Sequence, residues 1–193
     1  AIGNNVRVAN NFNGTLTVPV QVSDGVATSA TFSLQVTVNP VNDVPVITGQ
    51  VALSINEEQP IQIQLSHLIA TDIESSYPTG FSLSVSSGTN YGVSGNTITP
   101  AANFNGTLSV NVRVNDGAAN SAVFPLQVTV NPVNDAPVIT GQPAVSTSEE
   151  TALTIQLSHL NISDPDNTSG FSLTVPNGTN YTRSGNTISP IKD

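Results

Sequence analysis

The chain of 193 residues contains no cysteine, methionine or tryptophan. The lack of cysteine excludes disulfides, thiol chemistry and cysteine-ligated zinc. Basic residues number only four against 13 acidic residues, which gives a net charge of -9. Because nucleic acids and anionic membranes bind basic surfaces, we expect neither as a partner. No apolar run approaches the roughly 20 residues of a membrane helix, and no signal peptide is visible. We therefore expect no membrane insertion, and we interpret the chain as an internal segment of a longer protein.

Charged residues make up 9% of the chain, whereas apolar residues make up 37% and are mostly Val, Ile and Leu. A disordered acidic chain would lack these residues, so the composition indicates a folded protein. Several segments alternate apolar and polar residues, which is the period of a half-buried strand. The strands predicted in this way are 15–22, 31–38, 61–65, 81–85, 108–114, 123–130, 153–157 and 171–175. No window of 11 residues has helical periodicity, so we predict an all-β fold.

The sequence repeats itself at a spacing of 92 residues. The segment 12–16, Phe-Asn-Gly-Thr-Leu, returns unchanged at 104–108, and the segment 39–43, Asn-Pro-Val-Asn-Asp, returns at 131–135. In the third copy the spacing falls from 92 to 90 after the loop at Asp164. An internal repeat of this length predicts tandem copies of one structural unit.

The repeat boundaries are predicted at the two proline-bearing linkers. Residues 44–135 then form one complete repeat of about seven strands, large enough for its own Greek-key β-sandwich of immunoglobulin-like type. Residues 1–43 match the C-terminal half of a repeat, and residues 136–193 match the N-terminal half of a following one. Neither half is expected to bury its apolar face alone.

Twelve of the 13 acidic residues recur from one repeat to the next, and only Asp193 lies outside the pattern. The recurring pairs are Asp24 and Asp116, Asp43 and Asp135, Glu57 and Glu149, Glu58 and Glu150, Asp72 and Asp164, and Glu74 and Asp166. In a seven-strand sandwich these acids gather at the two poles, where neighbouring repeats meet. The predicted upper joint combines Asn42, Asp43, Asp72, Glu74 and Asp116. The predicted lower joint combines Glu57, Glu58, Asn134, Asp135, Asp164 and Asp166.

Carboxylates that converge at one joint repel each other unless a cation neutralises them. Calcium accepts six to eight oxygen ligands at irregular geometry, whereas magnesium requires a tighter octahedron, so we predict Ca²⁺ as the cofactor. The alternative is a solvated acidic surface, but unselected surface acids would not keep the phase of the repeat. For Asp24 and Asp116 a turn role is an equal alternative, because Asp-Gly is a common turn pair.

Four features resemble those of bacterial cadherin-like repeats: the linker 133–138, the glutamate pair at 57–58, the Asp-Pro-Asp loop at 164–166 and the Asp-Gly turns. Such repeats form long tandem arrays in very large secreted or surface proteins. The resemblance implies a calcium-binding fibre that serves cell adhesion outside the cell or at the bacterial surface. In cadherins the linker is richer in acids, and here Val41 and Val133 replace one of them.

No catalytic constellation is visible, so we do not expect an enzyme. A glycosidase-like acid pair would need aromatic platforms, and the chain has no tryptophan and three tyrosines. Ser-His-Asp combinations occur without a nucleophile elbow. His67 and His159 recur singly in Leu-Ser-His-Leu, which favours a structural role over zinc ligation.

Three alternatives to a calcium-stiffened stalk stay open. The chain could be a ligand-binding module for carbohydrate or protein, although it lacks clustered aromatics, and such a target could also be reached through other domains. It could be an accessory domain of an enzyme. Finally, residues 136–193 of one chain could complete residues 1–43 of an identical chain, head to tail. Otherwise the partners are the neighbouring repeats of a longer array.

Overall fold

A computed structural model describes residues 5–191 of the chain. The strands are β1 (Gly14–Val20), β2 (Phe32–Val38), β3 (Val46–Gln50), β4 (Leu53–Asn56), β5 (Ile61–Gln62), β6 (Leu68–Thr71), β7 (Ser82–Val85), β8 (Tyr91–Ser94), β9 (Thr97–Pro100), β10 (Gly106–Asn115), β11 (Phe124–Asn131), β12 (Val138–Gly141), β13 (Leu153–Thr154), β14 (Asn161–Ser163), β15 (Tyr181–Ser184) and β16 (Thr187–Pro190). Two short 3₁₀ turns, Leu65–His67 and Leu157–His159, are the only helical segments among the described residues. The predicted all-β class is confirmed.

The chain forms two compact units, Ala1–Asn131 and Pro132–Asp193. The first contains β1 to β11 and the second contains β12 to β16. The predicted division into a half repeat, a complete repeat and a second half repeat stays a prediction.

Strands β3 to β11 build a seven-stranded Greek-key sandwich in which the first two strands are each interrupted. One sheet has the order β4-β11-β10-β7, with β4 parallel to β11 and the other neighbours antiparallel. The opposite layer consists of the β3-β6 pair and the β5-β9-β8 sheet. The predicted sandwich architecture is confirmed.

The core of the sandwich comes from the alternation that the sequence displays. In β10, Leu108, Val110, Val112 and Val114 are buried, while the residues between them are exposed or partly so. They pack in one cluster with inward residues of the opposite layer, among them Ile98. Burial of each such side chain stabilises the fold by about 1.5–3 kcal/mol.

The predicted strands 61–65 and 153–157 are wrong beyond their first two residues. After β5 the chain turns into the 3₁₀ segment Leu65–His67. The backbone N–H of Gln64 donates to Nδ1 of His67 at 3.2 Å, and the N–H of His67 donates to the carbonyl of Gln64 at 3.0 Å. The same arrangement holds His159, at 3.4 Å from the N–H of Gln156. Both histidines therefore have the structural role that the sequence favoured.

The predicted strand 171–175 is also wrong, because the structure has no strand there. Its counterpart β7 pairs only with β10, at registers such as Val85 opposite Val112. The described residues of the second unit contain no counterpart of β10. Alternation alone does not make a strand, since the backbone hydrogen bonds need a neighbouring strand.

Strands β1 and β2 form an antiparallel pair with the same register as β10 and β11. Their apolar face is largely uncovered. Leu34 is 43% exposed, whereas its counterpart Leu126 is fully buried, and Phe32 is 65% exposed. As expected from the sequence, this segment does not bury its apolar face by itself.

Candidate calcium sites at the linkers

The structure brings the residues of the predicted upper joint together in what we term the first linker cluster, which consists of Asn42, Asp43, Asp72, Glu74 and Asp116. The side-chain amide of Asn42 donates to Oδ2 of Asp116 at 3.0 Å. The backbone N–H of Asp43 donates to Oε2 of Glu74 at 3.0 Å. The linker is thereby bound to the loop after β6 and to the turn between β10 and β11.

Asp72 is the central residue of the loop after β6. Its Oδ1 accepts hydrogen bonds from the backbone N–H groups of Glu74 at 3.0 Å and Ser75 at 2.7 Å. Its Oδ2 is buried and has no hydrogen-bond partner. A buried carboxylate oxygen without a partner is costly, and buried polar atoms in native proteins nearly always have one. A bound cation would satisfy this oxygen.

Asp116 holds the turn between β10 and β11. Its Oδ1 accepts the backbone N–H groups of Ala118 and Ala119, both at 2.7 Å. These bonds, that of Ala119 first, together with the Asn42 amide, lower the pKa of Asp116 below its ordinary value. The carboxylate is therefore ionised at neutral pH, as a ligand for a hard cation must be.

Asp24 forms the same turn between β1 and β2. Its Oδ1 accepts the N–H groups of Ala27 at 2.8 Å and Val26 at 2.9 Å, and these bonds lower the pKa of Asp24. The turn role that the sequence left open is thus present at both aspartates. Asp116 in addition accepts a hydrogen bond from the linker residue Asn42.

A second linker cluster, in the second unit, repeats the arrangement with Asn134, Asp135, Asp164 and Asp166. The N–H of Asp135 donates to Oδ2 of Asp166 at 2.6 Å. Oδ1 of Asp164 accepts the N–H groups of Asp166 at 2.9 Å and Asn167 at 2.8 Å. The linker-to-loop bond spans 31 residues in both clusters. The sequence repeat therefore builds the same local contact twice.

Sequence reasoning missed Asn167 as a member of the second linker cluster. Its side-chain amide donates to Oδ1 of Asn134 at 3.1 Å. The sequence feature that could have indicated this contact is the position of Asn167 directly after Asp166 in the loop. The repeat does not reveal it, because the counterpart of Asn167 in the preceding repeat is Ser75.

Glu57 and Glu58 lie in the turn after β4, at the end of the sheet where β4 pairs with β11. Glu57 is buried, and its N–H donates to the carbonyl of Asn131 at 2.9 Å. Glu58 is exposed and has a φ of 60°, the left-handed conformation of a tight turn. Their predicted grouping with the second linker cluster in a lower joint stays a prediction.

The donors of both clusters are oxygen atoms, which fits a hard cation rather than a soft metal. Among residues 5–191, no three Asp, Glu or His side chains form a group that could hold a metal ion. Calcium sites also use amide and backbone carbonyl oxygens, and the linkers carry both, at Asn42 and Asn134 and along their backbones. The cluster chemistry therefore fits Ca²⁺ if carbonyl and amide oxygens complete the ligand set.

A comparison with protein families supports the fold of the sandwich. The family model of the cadherin-like domain matches residues 41–131. No curated protein matches the sequence. A solved structure similar to the chain is the extracellular domain of protocadherin GammaB4, at 17% identity and a TM-score of 0.46. The match covers 91% of this chain and 32% of the protocadherin chain, so the chain spans about a third of that length.

Residues 5–191 contain no helix with the length and apolar character that crossing a membrane requires. The cadherin-like domain is an extracellular, adhesion-type module. Segment 41–131 is therefore similar in sequence to the cadherin-like domain and has the corresponding β-sandwich fold.

Proposed function

We propose that the chain is a segment of a calcium-stabilised stalk or fibre in an extracellular bacterial adhesin or surface filament. Its role is mechanical: each linker fixes the angle between successive sandwiches. The observation that carries the proposal is the recurring bond between a linker N–H and a loop carboxylate, Asp43 to Glu74 and Asp135 to Asp166. The recurrence of these carboxylates near both linkers, in a chain with few charges, supports sites at the predicted joints.

The first linker cluster would hold Ca²⁺ through Asp72, Glu74, Asp116 and the oxygens of Asn42 and Asp43. When bound, the ion supplies positive charge that offsets the repulsion among these carboxylates and satisfies the buried Oδ2 of Asp72. Asn134, Asp135, Asp164 and Asp166 would hold an ion in the same way in the second cluster. Glu57 and Glu58 would contribute at the lower joint.

Calcium binding to the folded linker stabilises the fold by mass action. At free calcium about ten-fold above the dissociation constant, the gain is about 1.4 kcal/mol per site. For a domain of about 90 residues, that corresponds to a rise in Tm of about 6–11 °C per site. Thermal unfolding with calcium, with magnesium and with chelator measures the gain, and we expect magnesium to give the smaller one because of its octahedral preference.

Asp116 and Asp24 offer a matched pair of variants for this test. Both carboxylates hold the same two-bond turn, but Asp116 also contacts the linker through Asn42. Asp116→Asn is expected to reduce the calcium-dependent rise in Tm, whereas Asp24→Asn is expected to leave it unchanged. Equal effects of the two substitutions would place the calcium effect outside the linker.

The mechanical role is tested separately by small-angle X-ray scattering. Calcium is expected to narrow the distribution of interdomain distances, and chelator is expected to broaden it. If the profiles with calcium and with chelator coincide, the linker is not stiffened by calcium. Asp72→Asn is expected to make the wild-type difference disappear while leaving the chelated profile as it was.

A further inference from the structure

Tyr77 lies in the loop that brings Asp72 and Glu74 into the first linker cluster. This loop, residues 72–80, follows β6, and Tyr77 lies three residues after Glu74. The hydroxyl of Tyr77 donates a hydrogen bond to the backbone carbonyl of Leu65. The loop is therefore attached to a residue of the sandwich that takes no part in the linker cluster.

Leu65 gives this hydrogen bond a fixed acceptor. It begins the 3₁₀ turn Leu65–His67, and its carbonyl also accepts the backbone N–H of Leu68. Leu68 is buried in the core, and the side chain of Leu65 packs against the same core cluster. The hydroxyl of Tyr77 thus bonds to a backbone group whose position the core of the sandwich determines.

The ring of Tyr77 adds packing to the hydrogen bond. It meets the ring of Phe81 edge-on, with the ring centroids 5.1 Å apart and an angle of 75° between the planes. Phe81 is 8% exposed and belongs to the core cluster. Aromatic pairs of this geometry stabilise a contact beyond the area they bury. Burial also raises the pKa of Tyr77, so its hydroxyl is protonated and can donate at neutral pH.

Short hydrogen-bonded turns connect Tyr77 to the carboxylates of the loop. The N–H of Thr79 donates to the carbonyl of Ser76 at 3.0 Å, which closes a turn around Tyr77 and Pro78. The start of the loop is closed by the two N–H groups that donate to Oδ1 of Asp72. Because both parts of the loop are closed, an attachment at Tyr77 restricts the position of the carboxylates as well.

The carboxylates of the first linker cluster oppose this position of the loop when no cation is bound. Four of them meet there, and like charges that share a site repel each other. None of the four basic residues of the chain lies in the linker or in the loop, and Oδ2 of Asp72 is buried without a hydrogen-bond partner. An uncharged attachment outside the cluster offsets this repulsion without occupying the place of the cation.

The loop of the second linker cluster is positioned by a different side chain. Residues 164–170 are two fewer than residues 72–80, and the two residues without a counterpart are Tyr77 and Pro78. This loop is instead bound to the linker, through the side-chain amide of Asn167. Each loop therefore has one attachment of its own, from the core in the first cluster and from the linker in the second.

We propose that Tyr77 is a positioning residue of the first linker cluster: its bond to Leu65 holds Asp72 and Glu74 in place before a cation binds. The effect on calcium affinity rests on the proposed function, whereas the effect on the loop does not. A preformed site loses less conformational freedom on binding. Loosening of the loop lowers the fraction of binding-competent chains and raises the dissociation constant by the same factor.

The test is Tyr77→Phe in the full 193-residue chain. The substitution removes the hydroxyl and keeps an aromatic ring against Phe81. The carbonyl of Leu65 keeps the N–H of Leu68, so the fold is not left with an acceptor that has no partner. In a calcium titration followed by the NMR shifts of the Glu74 amide, we expect the dissociation constant to rise by about three- to ten-fold, as the loss of one hydrogen bond predicts.

Tyr91→Phe is the matched control. The hydroxyl of Tyr91 also donates to a backbone carbonyl, that of Ser86 at 2.9 Å, but Tyr91 lies outside the loop and outside the cluster. We expect this variant to lower the Tm of the sandwich and to keep the wild-type dissociation constant for calcium. If the two variants weaken calcium binding equally, the effect comes from the stability of the whole sandwich, and the inference is overturned.

Hydrogen exchange in chelator tests the positioning role without calcium. The amides of Glu74 and Ser75 donate to Asp72, and we expect Tyr77→Phe to speed their exchange by about three-fold or more while the amides of β10 exchange as in wild type. A wild-type chain that binds no calcium would overturn the proposed function, and faster exchange in the variant would still support the positioning role. Unchanged exchange of the two amides overturns the inference, as does an unchanged dissociation constant where the wild type binds calcium.

Discussion

Gly88 packs against the ring of Tyr91, and a substitution at this glycine tests the packing of the sandwich core. A Cβ added at Gly88 would lie 2.5 Å from Oη, 2.7 Å from Cε1 and 2.8 Å from Cζ of Tyr91. The ring has no free space to move into, because Tyr91 is only 6% exposed. Its hydroxyl donates to the carbonyl of Ser86 at 2.9 Å and accepts the N–H of Asn111 at 3.3 Å. Any displacement of the ring therefore disturbs two hydrogen bonds as well as the packing.

We expect Gly88→Ala to lower the free energy of unfolding by about 2–4 kcal/mol. Overpacking of a core costs about 1–3 kcal/mol, and each hydrogen bond contributes about 0.5–1.5 kcal/mol. For a domain of about 90 residues this predicts a fall in Tm of about 10 °C or more. Urea unfolding followed by far-UV circular dichroism measures the change.

Two other glycines provide the controls. A Cβ at Gly92, inside β8, would meet nothing within 4 Å, so Gly92→Ala is expected to be neutral or slightly stabilising. A Cβ at Gly178 would lie 2.6 Å from Cε1 and Oη of Tyr181, but this ring is only partly buried and can swing outward. Gly178→Ala should cost less than about 1 kcal/mol. The reasoning is refuted if Gly88→Ala is as stable as wild type, or if Gly92→Ala is equally destabilising.

Two further predictions follow from the repeat. We expect Leu126→Ala to lower the free energy of unfolding by about 2–5 kcal/mol, because Leu126 is fully buried. We expect Leu34→Ala to lower the free energy of unfolding by well under half as much. The measurement is urea unfolding at a concentration where the chain is monomeric. Equal losses for the two variants would show that Leu34 is buried in solution. In calcium-free buffer, carbon NMR should find the pKa of Asp24 below its ordinary 3.8, because two backbone N–H groups favour the ionised form. Because the pKa of Asp24 is depressed in the folded protein, the stabilisation by the turn is fully present above pH 3.8 and is lost as the pH falls through the folded pKa. A titration midpoint of Asp24 at or above 3.8 would contradict the turn geometry.

The local contacts at the linkers were largely predictable. The spacing of the acids predicted that Asn42, Asp43, Glu74 and Asp116 would meet, and the structure joins them by hydrogen bonds. The two contacts, Asn42 with Asp116 and Asp43 with Glu74, follow from strand alternation, which determines which loops share a pole of a sandwich. That these residues bind calcium stays a prediction. The part played by Asn167 was not predictable from the repeat, because its position does not recur.

Nearly identical segments show what the sequence by itself determined and what only the tertiary structure decided. Residues 81–85 and 171–175 differ at one position, and residues 12–16 and 104–108 are the same. Alternation, turn positions and the placement of acids follow from local sequence, and the repeat carries them into each copy. Strand formation and burial do not, since β7 is a strand beside β10 whereas 171–175 is not, and Leu108 is buried whereas Leu16 is partly exposed. The physical reason is that ladder hydrogen bonds and apolar burial both need a second surface, which a local pattern requires but does not supply.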